Sequence, residues 1–114
     1  MPNSKKTSFK QLVGKWIIVG MEAWDQDYVN MEVPGHFIFN KGGSGYFQLG
    51  LVQGEMDCRI ETIGHGKRIE FSWEGQEELD PASERGWAVI EDEELKGRVF
   101  FHQGDDSAFR ARHS

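Results

Sequence analysis

Along most of the chain, apolar and polar residues alternate in short runs, and glycines or acidic residues separate one run from the next. Alternation with a period of two sends successive side chains to opposite faces of a strand, so each run reads as a strand with one dry and one wet face. The runs predict eight strands, over residues 15–24, 36–40, 45–52, 55–62, 67–74, 85–90, 95–102 and 107–111. A single helical turn over 8–12 precedes them, and helical periodicity is absent elsewhere.

Residues opposite each other across a hairpin share a face of the sheet, which restricts the register. A two-residue turn at Gln53 and Gly54 pairs Leu51 with Met56, Leu49 with Cys58 and Phe47 with Ile60, all apolar. A loop over 63–66 then sets Ile60 beside Ile69, Cys58 beside Phe71 and Met56 beside Trp73, while Arg59 meets Glu70 and Glu61 meets Arg68 on the wet face. A turn at Asp92 and Glu93 pairs Ile90 with Leu95 and Ala88 with Gly97 inside, and Trp87 with Arg98 outside; the last hairpin faces Phe101 with Phe109. About eight antiparallel strands without long crossovers predict an all-β, up-and-down antiparallel barrel, whose closure removes exposed sheet edges. A two-sheet sandwich is the alternative.

At 114 residues the chain suits one domain, and its 38% hydrophobic and 12% aromatic content can fill a core without metal or disulfide staples. The net charge of −6 argues against nucleic acid, which needs a concentrated basic face. Cys58 is the sole cysteine, so neither an internal disulfide nor a multi-cysteine zinc site can form, and a reducing compartment is expected. Residues 1–11 carry Lys5, Lys6 and Lys10 but no continuous apolar stretch, so neither a signal peptide nor a membrane anchor is read there, and the expected location is the cytoplasm.

Gly14, Lys15 and Trp16 resemble the Gly-x-Trp signature at the first strand of lipocalins and their calycin relatives. The resemblance implies a short helical turn before the signature, a tryptophan closing one barrel end, and a late basic residue packed over it; Arg110 or Arg112 would take that last part by cation–π packing. Residues 21–28, 71–75 and 101–107 also resemble a group of small bacterial proteins with no established function. The chain is shorter than lipocalins and lacks their disulfide and C-terminal helix, and a barrel this small can be filled by its own side chains.

In a meander, alternate connections gather at one end. Those over 25–35, 53–54, 75–84 and 103–106 share a mouth, and the first and third are the longest, as binding loops often are. Trp24, Asp25, Asp27, Tyr28, Trp73, Glu74, Asp80, His102, Asp105 and Asp106 would surround it, an acidic and aromatic set suited to a cationic or amphipathic small ligand. Simple solvation of a barrel end by acidic loops is the plainer explanation. If Trp16 points inward, alternation turns Ile18, Gly20, Glu22 and Trp24 inward too, setting a carboxylate near the mouth; a bulge or flared strand would leave Glu22 wet.

Chemistry beyond binding finds little support. Asp25, Asp27 and Asn30 offer oxygens without the glycine and distal glutamate of a calcium loop. Ser107 near His102 and Asp106 does not amount to triad geometry, and Cys58 reads as a core residue. No cofactor, metal or catalysis is expected. The leading expectation is a barrel that binds a small ligand at its mouth; the competing one is an interaction module docking a basic partner through the same loops. A barrel enzyme using Glu22 and His102 as acid and base is a minor third.

Overall fold

The computed structural model describes residues 9–64, 66–78, 80–101 and 106–114. Among them, eight antiparallel strands in chain order close a barrel: β1 Gly14–Met21, β2 His36–Phe39, β3 Ser44–Leu49, β4 Val52–Ile63, β5 Gly66–Glu77, β6 Asp80–Glu91, β7 Glu94–Phe100 and β8 Asp106–His113. Pairing of β8 with β1 completes the ring. The turn before β1 is α1, Phe9–Leu12, and a second turn, α2, Gln26–Val29, lies between β1 and β2.

Alternation supplies the interior. Phe37, Phe39, Phe47, Phe71, Trp73 and Phe109 are all buried, and the Phe37 ring sits 4.6 Å from Phe109 and 5.5 Å from Phe47 between centroids. Small residues face these rings: Gly97 is opposite Phe109 and Gly86 opposite Phe71. Large aromatic rings against small partners fill a barrel of this size with side chains.

The β4–β5 and β6–β7 registers are those expected, including Ile60 with Ile69, Arg59 with Glu70, Ile90 with Leu95 and Trp87 with Arg98. The β3–β4 hairpin differs. Its turn is at Gly50 and Leu51, pairing Leu49 with Val52, Phe47 with Gly54 and Gly45 with Met56. Gly50 has φ +55°, which suits glycine in a turn, and Gly54 lies under the Phe47 and Trp73 rings where a Cβ would collide at 2.6 and 2.8 Å. The slip is by an even number of residues, so every side chain keeps its face.

Three further expectations are corrected. Residues 75–84 are not a long loop: β5 runs to Glu77 and β6 begins at Asp80. Gly97, not Phe101, faces Phe109; Phe101 lies past the end of β7. The first strand ends at Met21, and its register shifts between Ile18 and Gly20, so the alternation that would turn Glu22 inward is broken by an irregularity. The molecule measures 47 × 23 × 22 Å, elongated because the twelve-residue strands β4, β5 and β6 outreach the others.

At the end opposite the expected mouth, Trp16 is 1% exposed and donates its indole N–H to the Leu12 carbonyl at 2.8 Å. The side chain stacked over it is His113, 3.7 Å between centroids. Arg110 and Arg112 instead converge on Glu94, and the hydrogen bond from Arg112, followed by the charges around it, holds that carboxyl below its usual range. The ring over Trp16 is thus the imidazole of His113, the last residue of β8, and neither Arg110 nor Arg112.

Candidate functional site

The end of the barrel bearing the β1–β2, β3–β4 and β5–β6 connections carries α2. Asp25 begins it as N-cap, its Oδ1 accepting the Tyr28 N–H at 3.0 Å. Gln26 donates its side-chain amide to the Ile18 carbonyl, fastening α2 to β1. Val29 is wholly buried, and its carbonyl accepts the Gly50 N–H at 3.0 Å. The Tyr28 ring covers Gly50 so closely that a Cβ there would lie 2.2 Å from it, and its hydroxyl accepts the Leu51 N–H. α2 therefore packs across this end, tied to β1 through Gln26 and to the β3–β4 turn through Tyr28 and Val29.

The rings form a chain beneath α2. Trp24 lies 5.6 Å from Tyr28 and edge-on to Phe101 at 5.3 Å; Phe101 meets Trp73 at 5.8 Å, and Trp73 meets Phe47 at 5.1 Å. Trp73 is 3% exposed, so it belongs to the core, whereas Trp24, Tyr28 and Phe101 are half-buried. The expected residues Trp24, Asp25, Asp27, Tyr28 and Trp73 thus share one end, with Asp27 exposed on α2. His102 and Asp105 lie outside the described residues.

Glu22 and Asp106 serve a different purpose on the outer wall. Both pair with Arg98, Asp106 by accepting a hydrogen bond from Nη1 and Glu22 at 3.3 Å from Nη2. The Asp106 hydrogen bond is the main reason that the guanidinium holds its proton even more firmly than usual. Glu22 also accepts the Ala108 N–H at 3.4 Å, and its side chain is 59% exposed. It bridges strands across the outside of the barrel and does not face an apolar interior. Below it, buried Ser107 accepts the Ala23 N–H at 3.0 Å and donates to the Ala108 carbonyl.

The sequence reading placed the 25–35 connection at this end but missed α2 within it and the exposed apolar pair that follows. Asn30 Oδ1 accepts the Gly35 N–H at 2.8 Å, and the Gly35 carbonyl accepts from Ile18, so the loop is pinned at both ends. Between these pins Met31 is 53% and Val33 38% exposed, the two large apolar side chains most open to solvent among the described residues. Asp25, Asp27 and Glu32 lie close along the chain and are exposed. The signal available beforehand was Asp25, an N-cap residue three positions before Tyr28, with Asn30 and Pro34-Gly35 closing the segment.

Among the described residues no group of three His, Cys, Asp or Glu side chains is placed to hold a metal ion, and no helix is long and apolar enough to cross a membrane. No family model, curated protein or solved structure matches the chain. The class defined by fold and site is an eight-stranded up-and-down β-barrel with an aromatic interior and a capped, acidic end.

Proposed function

We propose that the chain is a protein-interaction module that docks a partner bearing a basic surface with apolar contacts, using the capped end of the barrel. The observation that carries this reading is the pinned loop, which holds Met31 and Val33 in water beside Asp25, Asp27 and Glu32 instead of folding them under α2. Single exposed apolar residues need no explanation, but two within three positions on an anchored segment, with exposed carboxylates near them along the chain, resemble the core and rim of a small interface. The filled interior weighs against a ligand cavity of lipocalin size. A small cationic or amphipathic ligand resting outside, against Trp24 and Tyr28, is the second reading, favoured by the half-buried rings. The lone buried thiol of Cys58 suits a reducing compartment, and we assign the protein to the cytoplasm on that ground.

Two variants test the docking reading. Met31→Ser with Val33→Ser removes the apolar contacts, and Asp25→Asn with Asp27→Asn removes charge while keeping a residue that caps α2 well. A partner captured by the wild type is expected to be lost by both, with unchanged melting temperature, and its capture to weaken with salt. Retention by both variants would sink the proposal. A native mass spectrum of the untagged protein separates the second reading: extra mass that disappears on denaturation would favour a bound small molecule.

A further inference from the structure

Two hairpins fix the direction of every backbone group along β6. The β5–β6 register closes on Glu77 opposite Asp80, and the β6–β7 register on Glu91 opposite Glu94, each across two residues. A two-residue hairpin closes on a hydrogen-bonded pair, and such pairs recur at every second residue. Counting up from Asp80, residues 80, 82 and 84 bond to β5. Counting down from Glu91, residues 91, 89 and 87 bond to β7. The two counts agree, and both leave Pro81, Ser83 and Arg85 directing their backbone groups to the side on which β7 would continue.

Among the described residues β7 does not continue there. Its register with β6 stops at Val99 opposite Gly86, and the carbonyl of Phe100, next in line to meet Arg85, accepts the Trp73 indole N–H at 3.1 Å. Among the described residues no strand pairs with this side of β6 over 80–85. Pro81 fits that geometry, since proline is tolerated on a strand where its missing N–H faces an unpaired edge. The N–H groups of Ser83 and Arg85 and the carbonyls of Pro81, Ser83 and Arg85 make a short template for an added strand.

Charge selects the occupant. Glu74, Glu77, Glu78, Asp80 and Glu84 crowd residues 74–85, with Arg85 as the one cation among them. On the outer face Glu55 stands directly opposite Glu74, a like-charge pair that destabilises a sheet, beside an open groove of about 640 Å³ that Ser83 and Arg85 also line. A second copy would bring two such acidic tips together and is disfavoured. We propose that the open edge of β6 takes an extended basic segment of a partner as an added strand, its backbone pairing with Ser83 and Arg85 and its Lys or Arg side chains lying across Glu55 and Glu74. This rests on the interaction-module reading and adds to it a second surface and a binding mode.

The test uses the full chain and an alternating Lys–Val octapeptide, read by amide hydrogen exchange and amide chemical shifts. Exchange at Ser83 and Arg85 is expected to slow by about tenfold on peptide addition. That protection should vanish with the same peptide N-methylated at alternate residues, which leaves the protein untouched, and should weaken in Glu55→Gln with Glu74→Gln. Binding that leaves Ser83 and Arg85 unprotected, or survives N-methylation, overturns strand addition. If its shifts fall on Asp25, Asp27 and Met31, the edge is ruled out while the docking loop stands. No binding overturns the edge alone, because the loop variants test the docking reading separately. Concentration-dependent protection of Ser83 and Arg85 without peptide overturns it in favour of self-pairing.

Discussion

Cys58 faces Phe71 across the β4–β5 ladder at 7% exposure, and burial, with the neighbouring Asp57 carboxylate adding to it, pushes the thiol up to about 12 from a starting value of 9.0. The folded chain therefore keeps a proton that the unfolded chain releases above about pH 9, so the unfolded state binds fewer protons and stability falls as pH rises from about 9 towards 12. Below that window the thiol is neutral in both states and contributes no slope. Urea midpoints of wild type and Cys58→Ala, compared from about pH 8 to about pH 10.5, are expected to converge as the wild type alone loses stability; a constant difference would refute the account. The core role of Cys58 was readable from alternation because β4 carries no irregularity there. Glu22 was readable only as two alternatives, inward by strict alternation or wet beside a bulge, and the register shift near Gly20 with its exposed pairing to Arg98 matches the second.

At some strand glycines in this barrel backbone comes very close to backbone. A Cβ on Gly97 would lie 2.0 Å from the Trp87 carbonyl oxygen and 2.8 Å from the Ala88 Cα, atoms of the ladder itself that cannot swing aside. Gly97→Ala is expected to destabilise by about 1–3 kcal/mol or more, whereas Gly42→Ala, which would meet nothing within 4 Å, should stay within about 0.5 kcal/mol of wild type. Equal urea midpoints for the two variants would show that the close approach relaxes freely. The same scale shows how far the elements were legible. Period-two patterning found the strands, and two registers followed from opposite charges and tight turns. The β3–β4 turn was misplaced because Gln53-Gly54 and Gly50-Leu51 both look like turns, and an even slip preserves every apolar face. Residues 75–84 resembled a loop since Leu79 is the one strongly apolar residue in an otherwise acidic and polar run; the pairing of the described ones comes from neighbours already in register. α2 is a single turn, too short for helical periodicity, and went unread; Asp25 at its N-cap was the local signal for it.

At the scale of the molecule, seven of the eight ladders join strands that are consecutive in the chain, and the β1–β8 seam alone closes over almost the full length. Hairpins such as β4–β5 form across short loops, while the seam must wait until both ends are brought together, so its contacts belong late in folding. Ser107 reports on that seam: it is wholly buried on β8 and takes the Ala23 N–H from the segment following β1. Ser107→Ala leaves that donor without its partner and is expected to cost about 1–3 kcal/mol. Because the bond forms after the transition state, the loss should appear chiefly as faster unfolding, with the folding rate little changed. Ile69→Val, in the central ladder opposite Ile60, should by contrast slow folding. Stopped-flow chevrons of the two variants decide the order: if Ser107→Ala slows folding as much as Ile69→Val does, the ring closes early and the long-range seam, not the central hairpin, nucleates the barrel.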